Sequence, residues 1–469
     1  MKKKALLINP PTGKYIRDDR CQAPVKGLSS SLRMPLDLAY LAAILEQEGY
    51  ECKLQDYPAY GKSDWNHFQN DLLSFQPHML IISVTTPTLL LDLKSCEEAK
   101  KINPKILTIA KGAHFITEDR SVMERFHDLD VAIRGEAELT IKELGQNKPL
   151  DQILGLTYRA HDIIHRTADR PFLDDMDSLP YPARHLLDNS LYRRPDTDEP
   201  MTSIATNKGC PAKCIFCLVP AVSGHKIQSR SAQSIADEMQ HCYEKYGISN
   251  FYFRADTFTW FKEWTLEVCR AISSKNLKLH WVCNSRVNRV DEEMLIEMKK
   301  AGCWLIGFGI ESGDAELLKK MKKGATLDQA ENAVNLCHKV GIKAYLFFTF
   351  GLPWEDEASV NRTIAFSRKL KGDFCEFQIM YPFPATELYD IAGQHGLFEK
   401  ADLFKGDYKQ GIIRTFTLSQ ERLQHYQYVA TKKYYLQPQR ILRLLRGISS
   451  PRVFSNYVRK GLAIFQQQE

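Results

Sequence analysis

The sequence predicts an α/β protein built in two successive units: a doubly wound parallel sheet, then a partial barrel of six strand–helix repeats, then a mostly helical tail. Three observations carry this reading. Short apolar runs alternate with amphipathic stretches from residue 1 to about 145, and the same rhythm returns from Ser203 to about Met380. A proline- and acid-rich stretch without clear period, FLDDMDSLPYPARHLL, separates the two. The 469 residues leave room for two or three domains. With 44% hydrophobic and 26% charged residues the chain has enough apolar material for its own cores, without disulfide or metal staples. A net charge of +6 is too modest to call for a nucleic-acid partner, and none is expected.

In the first unit the strands are Lys4–Ile8, Glu51–Gln55, Met79–Val84, Ile106–Ala110 and Asp130–Ile133. Helical stretches cover Leu36–Glu48, Leu89–Lys101 and Glu138–Leu144. Strand–helix alternation means a parallel sheet covered on both faces. Five such strands suit a flavodoxin-like domain over residues 1–145, whose ligands bind beyond the carboxyl ends of the strands. The loops at those ends contain Asn9-Pro10-Pro11-Thr12-Gly13, Thr85-Thr86-Pro87-Thr88 and Lys111-Gly112-Ala113-His114. Gly, Pro and hydroxyls there suit a cofactor rim and ordinary turn chemistry alike.

Residues 146–200 read as a linker, with a hairpin turning at Ala160-His161-Asp162. The barrel unit spans 201–400. Its strands are Ser203–Thr206, Asn250–Arg254, Leu279–Cys283, Trp304–Gly309, Ala344–Thr349 and Cys375–Met380, with helices between them. Active sites in such barrels lie at the C-terminal ends of the strands. The tail, 401–469, has no strand pattern.

Directly after the first barrel strand comes NKGCPAKCIFCLVP, with Cys210, Cys214 and Cys217 spaced C-x-x-x-C-x-x-C. Zinc, a disulfide and an iron–sulfur cluster all deserve weighing. The apolar run in MKKKALLINPP is too short for a secretory leader, so a cytoplasmic location is expected, where thiols stay reduced. Structural zinc takes four protein ligands, but the next cysteine, Cys242, lies in a helical stretch and His225 is the only nearby imidazole. Three thiolates can hold a four-iron cluster and leave one iron open for a ligand.

C-x-x-x-C-x-aromatic-C, with Phe216 before the third cysteine, resembles the signature of the radical S-adenosylmethionine (SAM) superfamily. That resemblance implies a 4Fe–4S cluster on Cys210, Cys214 and Cys217 whose open iron chelates SAM. Reductive cleavage would then give methionine and a 5′-deoxyadenosyl radical that takes a hydrogen atom from substrate. A one-electron reductant of the flavodoxin or ferredoxin type is implied as partner. By the same resemblance Asp256, in FRADTFTW, would meet the methionine moiety, although the family's usual Gly-Gly-Glu is absent there. Ser285 and Arg286 would meet the ribose or carboxylate, Glu311 and Ser312 the ribose and methionine, and Gly351 and Pro353, in FGLPWED, the adenine.

A flavodoxin-like domain ahead of such a barrel resembles the cobalamin-binding branch of the family, over roughly residues 1–400. The resemblance assigns a cobalamin rim to Asn9, Pro10, Ser83, Thr85, Thr86, Gly112, His114, Gly135 and Glu136. No histidine here is preceded two positions back by Asp, so the Asp-x-His-x-x-Gly ligand motif of many cobalamin proteins is missing. Those cofactors together imply methylation of an unactivated carbon of a small-molecule or lipid-like substrate. Oxidative ring closure of the porphyrin-ester-cyclase kind is the alternative, and a non-catalytic cobalamin sensor a third reading. Methylthiolation would need a second cysteine trio, and Cys21, Cys52 and Cys96 are spread over separate elements. In the tail, Leu442, Leu445 and Ile448 at helical spacing, flanked by Arg440, Arg443 and Arg446, form a helix packed on the barrel or touching an anionic membrane surface.

Overall fold

The computed structural model describes residues 2–13, 15–17, 22–24, 32–61, 64–405, 411–446, 453–456 and 458. The first sheet is built from β1 (Lys4–Asn9), β2 (Glu51–Asp56), β3 (Met79–Ser83), β4 (Leu107–Lys111) and β5 (Val131–Ile133), all parallel in the order β2-β1-β3-β4-β5. That is the doubly wound order expected. Side chains alternate between two cores: Leu6, Ile8, Leu80 and Ile82 face one layer of helices, Ala5, Leu7, Met79 and Ile81 the other. A strand buried on both faces has to be apolar throughout, which explains the unbroken MLIIS of β3.

The hairpin departs from its expected place in the linker. Of its strands, β6 (Leu156–Ala160) pairs antiparallel with β5 and β7 (Ile163–Arg166) antiparallel with β6, extending the first sheet to seven strands. Both turn residues, His161 and Asp162, have positive φ (48° and 62°), the twist that matches a two-residue hairpin loop. The first unit therefore runs past residue 145. The remaining linker is firmly packed: the Tyr192 hydroxyl donates to Asp56 of β2 at 2.8 Å, and Arg184 donates to Thr202 at the barrel's start at 3.1 Å.

The second sheet holds six parallel strands, β8 (Met201–Lys208), β10 (Asn250–Ala255), β11 (His280–Ser285), β12 (Cys303–Glu311), β13 (Lys343–Phe350) and β14 (Phe374–Ile379), in sequential order, with the short antiparallel β9 (Gln228–Ser229) outside β8. The intervening helices start on side-chain caps that satisfy otherwise unbonded N–H groups: Ser231 on Ser234 N, Asp291 on Met294 N, Thr326 on Gln329 N and Asp356 on Ser359 N. Phe251 and Phe253 point into the helix layer, while Tyr252 and Arg254 line the inside of the barrel.

The tail packs on the barrel's last strand. From the helix Gln420–Tyr435, the Tyr435 hydroxyl accepts from Cys375 N at 3.0 Å and donates to Cys375 O at 2.8 Å, and Gln427 donates to Phe377 O at 2.7 Å. In the next helix, Pro438–Arg446, the expected faces are exchanged at two positions. Arg440 turns inward, stacking on Tyr434 at 3.5 Å and donating to Leu370 O at 2.6 Å, while Leu442 is exposed. Three carbonyls and an aromatic face outweigh the cost of burying the guanidinium. Ile448 lies outside the described residues. Among the described residues no helix is long and apolar enough to cross a membrane.

Candidate active site

At the end of β8 the chain makes a turn that only glycine fits. Gly209 has φ +87°, and a Cβ there would stand 2.1 Å from the Lys226 carbonyl oxygen. Its N–H donates to the Asp256 carboxylate at 2.8 Å, Cys210 N donates to Gly224 O at 3.2 Å, and Ile215 N donates to Met321 O at 3.2 Å. These bonds fix the loop that carries the cysteines. Cys210, Cys214 and Cys217 all line one cavity of about 440 Å³ at the C-terminal mouth of the barrel. Among the described residues no three metal-ligating side chains converge on a single-ion site. The thiols instead edge a space large enough for a polyatomic group.

The same cavity takes in Asp256, Ser285, Arg286 and Glu311 from the ends of β10, β11 and β12. Arg286 Nη1 lies 3.6 Å from Cys214 Sγ, and its Nη2 donates to the Lys323 carbonyl. Glu311, with φ +70°, forms a buried ion pair with Lys323 at 2.7 Å. Lys323 was not foreseen from sequence. It follows Glu311 by twelve residues and reaches the site through the turn Lys322-Lys323-Gly324, with φ 54° at Lys322 and 63° at Gly324; that glycine is the turn signal the sequence offers.

Three expected contacts lie elsewhere. Ser312 is buried away from the cavity, bonded to Thr363 at 3.1 Å and to Asp314 N at 3.1 Å. Gly351 and Pro353 form a structural turn: Gly351 packs against Ile379 and Ile413, and Pro353 O accepts from Phe416 N at 2.9 Å. The turn closes on Glu355, whose carboxylate accepts from Gly351 N at 2.5 Å. Burial lifts the Glu355 carboxyl to about 8 despite that bond. A raised carboxyl pKa means that the charged form opposes folding, with no penalty below the ordinary value of 4.5 and the full penalty above about 8. Glu355→Gln is therefore expected to leave the melting temperature unchanged at pH 4 and to raise it over wild type at pH 8, in paired thermal melts.

A second cavity, about 110 Å³, lies between the domains on the carboxyl edge of the first sheet. Asn9, Ser83, Gly112, Gly135 and Glu136 line it, as expected. Pro10, Thr85, Thr86 and His114 do not. Thr85 is tied to Thr88 at 2.8 Å and to Asp92 at 3.1 Å. His114 turns to the far side of its loop, 3.3 Å from the Thr86 hydroxyl and edge-on to Phe404, and burial pulls its pKa down to about 4. It contacts neither a phosphate-binding rim nor the interdomain gap. Lys208 of β8 bridges to Glu138 at 2.6 Å and Glu136 at 3.3 Å across this gap. Asp256 and Arg33 border both cavities.

Family comparison agrees with this geometry at both ends. Residues 31–145 match the B12 binding domain and residues 204–367 the radical SAM superfamily. The chain joins a B12 binding domain to a radical SAM domain. An uncharacterized methyltransferase of Pyrococcus horikoshii is 28% identical over 94% of each chain. Cytidylyl-2-hydroxyethylphosphonate methyltransferase of Streptomyces wedmorensis is 25% identical over 87% of this chain and 85% of its own. The solved structure of the radical SAM methyltransferase TsrM from Kitasatospora setae shares the fold, with TM-score 0.68 at 19% identity, over 94% of this chain and 82% of that one.

Those two domains imply three cofactors, a 4Fe–4S cluster, SAM and cobalamin, and the residues present fit them. Three thiols share one cavity wall, and Arg286 Nε is buried beside them without a hydrogen-bond partner. Gly309 leaves the place where Glu311 and Lys323 meet, since a Cβ there would stand 2.4 Å from Glu311 Oε1. Gly135, with φ +75°, stands at the rim of the interdomain cavity, where a Cβ would face open space. The Lys208 ion pairs with Glu136 and Glu138 span the two walls of that cavity.

Proposed function

We propose that this protein methylates an unactivated carbon of a small-molecule or lipid-like substrate held in the barrel mouth, facing the first domain. When bound, the cofactors supply a hydrogen-abstracting radical from reductive cleavage of SAM and a methyl group carried on cobalamin. The chain's own residues position these groups. Cys210, Cys214 and Cys217 would hold the cluster, and Asp256, Ser285 and the Glu311–Lys323 pair would seat SAM beside it. Asn9, Ser83, Gly112, Gly135 and Glu136 would form the cobalamin rim. Tyr345, Phe347 and Phe383 give the rest of the barrel cavity an aromatic wall suited to a largely apolar substrate.

The observation that carries the proposal is the shared border. Asp256 and Arg33 line both the thiol cavity and the interdomain cavity, so groups bound in the two are neighbours across one wall. Holding two reagents against one substrate supplies the positioning that a two-reagent transfer requires. The names of the two relatives, both methyltransferases, support the same reading. Like other radical SAM enzymes it needs a reductant, here a low-potential one-electron donor of the flavodoxin or ferredoxin type.

The test is anaerobic reconstitution of the full chain with iron, sulfide and hydroxocobalamin, followed by reduction in the presence of SAM. Methyl transfer predicts release of both S-adenosylhomocysteine and 5′-deoxyadenosine, the former lost when cobalamin is omitted. Mass spectrometry of substrates incubated with the enzyme should then find an added CH₂. Products lighter by hydrogens, with no added carbon and no S-adenosylhomocysteine, would favour oxidative cyclisation instead.

A further inference from the structure

Arg286 follows β11 directly, and the position of its guanidinium is unusually well determined. Nη2 donates to the carbonyl of Lys323, which anchors one arm of the fork. Nη1 then points at Cys214 Sγ, 3.6 Å away. The side chain is buried, and among the described residues it has no carboxylate partner. The nearby Lys323 is already paired with Glu311, so the positive charge of Arg286 is left to act on the sulfur. A planar guanidinium can satisfy a carbonyl and a sulfur in two fixed directions at once, which a lysine ammonium cannot do with the same geometry.

We propose that Arg286 is a positioning residue that raises the reduction potential of the cluster through its N–H···S contact and its fixed charge at Cys214. The proposal rests on the cluster assignment above. Reduction adds one electron, hence one negative charge, to the cluster and its thiolates; the electron comes from the external low-potential donor. The guanidinium remains protonated throughout, so no proton moves and no bond to the protein forms or breaks. A donor and a positive charge at a ligating sulfur stabilise the more negative, reduced form. This assigns Arg286 to the metal ligand rather than to the ribose or carboxylate of SAM.

The test is a potentiometric titration of the reconstituted full chain, read by electron paramagnetic resonance without SAM. In Arg286→Met the ratio of reduced to oxidised cluster at a fixed potential is expected to fall about tenfold, a shift of ~59 mV to more negative potential for one electron. Arg286→Gln keeps an amide donor for the Lys323 carbonyl but no charge, and carries the test alone if the Met variant fails to hold iron. Its potential should also move negative. Wild-type potentials in these variants would overturn the proposal, as would a shift that appears only when SAM is present. A wild-type chain that binds no cluster, by iron content and visible absorbance, would overturn the cluster assignment and the proposal together.

Discussion

Alanine at any one of Cys210, Cys214 or Cys217 is expected to reduce SAM cleavage to the level of protein-free controls while hydroxocobalamin still binds. The three thiols line only the barrel cavity, and none borders the interdomain one. The proposed cobalamin rim is drawn chiefly from loops of the first sheet, whose two cores contain no part of the cysteine loop. A cluster that has three protein ligands has none to spare. The measurement is 5′-deoxyadenosine formation after reduction, with cobalamin retention followed by its visible spectrum after gel filtration. Loss of cobalamin together with the cluster would mean that the two sites are not separable, and that Lys208 and Asp256 tie them into one folding unit.

The largest effect on stability is expected far from the chemistry, at Glu238. Its carboxylate is buried between two guanidiniums, Arg184 at 2.7 Å and Arg230, all three nearly inaccessible to solvent. Arg184 comes from the linker and Glu238 from the helix Ala232–Tyr246, so the trio binds the linker to the barrel. Glu238→Gln leaves the buried Arg184 without its carboxylate and Arg230 with only the more distant Asp177, 3.7 Å away, at a cost of ~3–5 kcal/mol in denaturant unfolding. The pH dependence follows from the same contacts. Burial alone would push the Glu238 carboxyl up, but Arg184 and Arg230 outweigh it and hold the pKa below the ordinary carboxylate range. The carboxylate's contribution is therefore full above the ordinary value of 4.5 and fades as the pH falls through the lower folded value. The gap between wild type and variant should shrink in acid; a constant gap from pH 7 to pH 3 would remove the charge-based explanation.

Most strands were legible because a parallel strand covered on both faces leaves an apolar run that little else produces. What the pattern could not give was partnership. ILGLTYR and IIHRT read as a hairpin, yet nothing in their own residues says that they join the first sheet. The helix Phe115–Arg125 escaped notice for a different reason: FITEDRSVMER is polar over half its length and kinks at Glu118. In the site, the cysteines were legible because all three fall within one eight-residue stretch of sequence. For Asp256, Ser285, Arg286 and Glu311, a place at a strand end did put the side chain on the cavity wall. That same rule misassigned Ser312, Gly351, Pro353 and His114, since a position at a strand end does not say which way the next side chain turns. Lys323 illustrates the converse. It enters the cavity from a turn with no strand-end signature.

The tyrosine hydroxyl that both accepts from and donates to Cys375 has a consequence for how this molecule behaves in a crowded solution. An incomplete barrel ends in a strand with a free row of backbone donors and acceptors, a ready template for the edge of another sheet. Here Tyr435 and Gln427 occupy that row from a helix, so the edge is hydrogen-bonded without a further strand. At the opposite end the short β9 covers part of β8. An open barrel edge is thereby closed to strand addition at Cys375 and Phe377 by side chains of the tail, without a further strand.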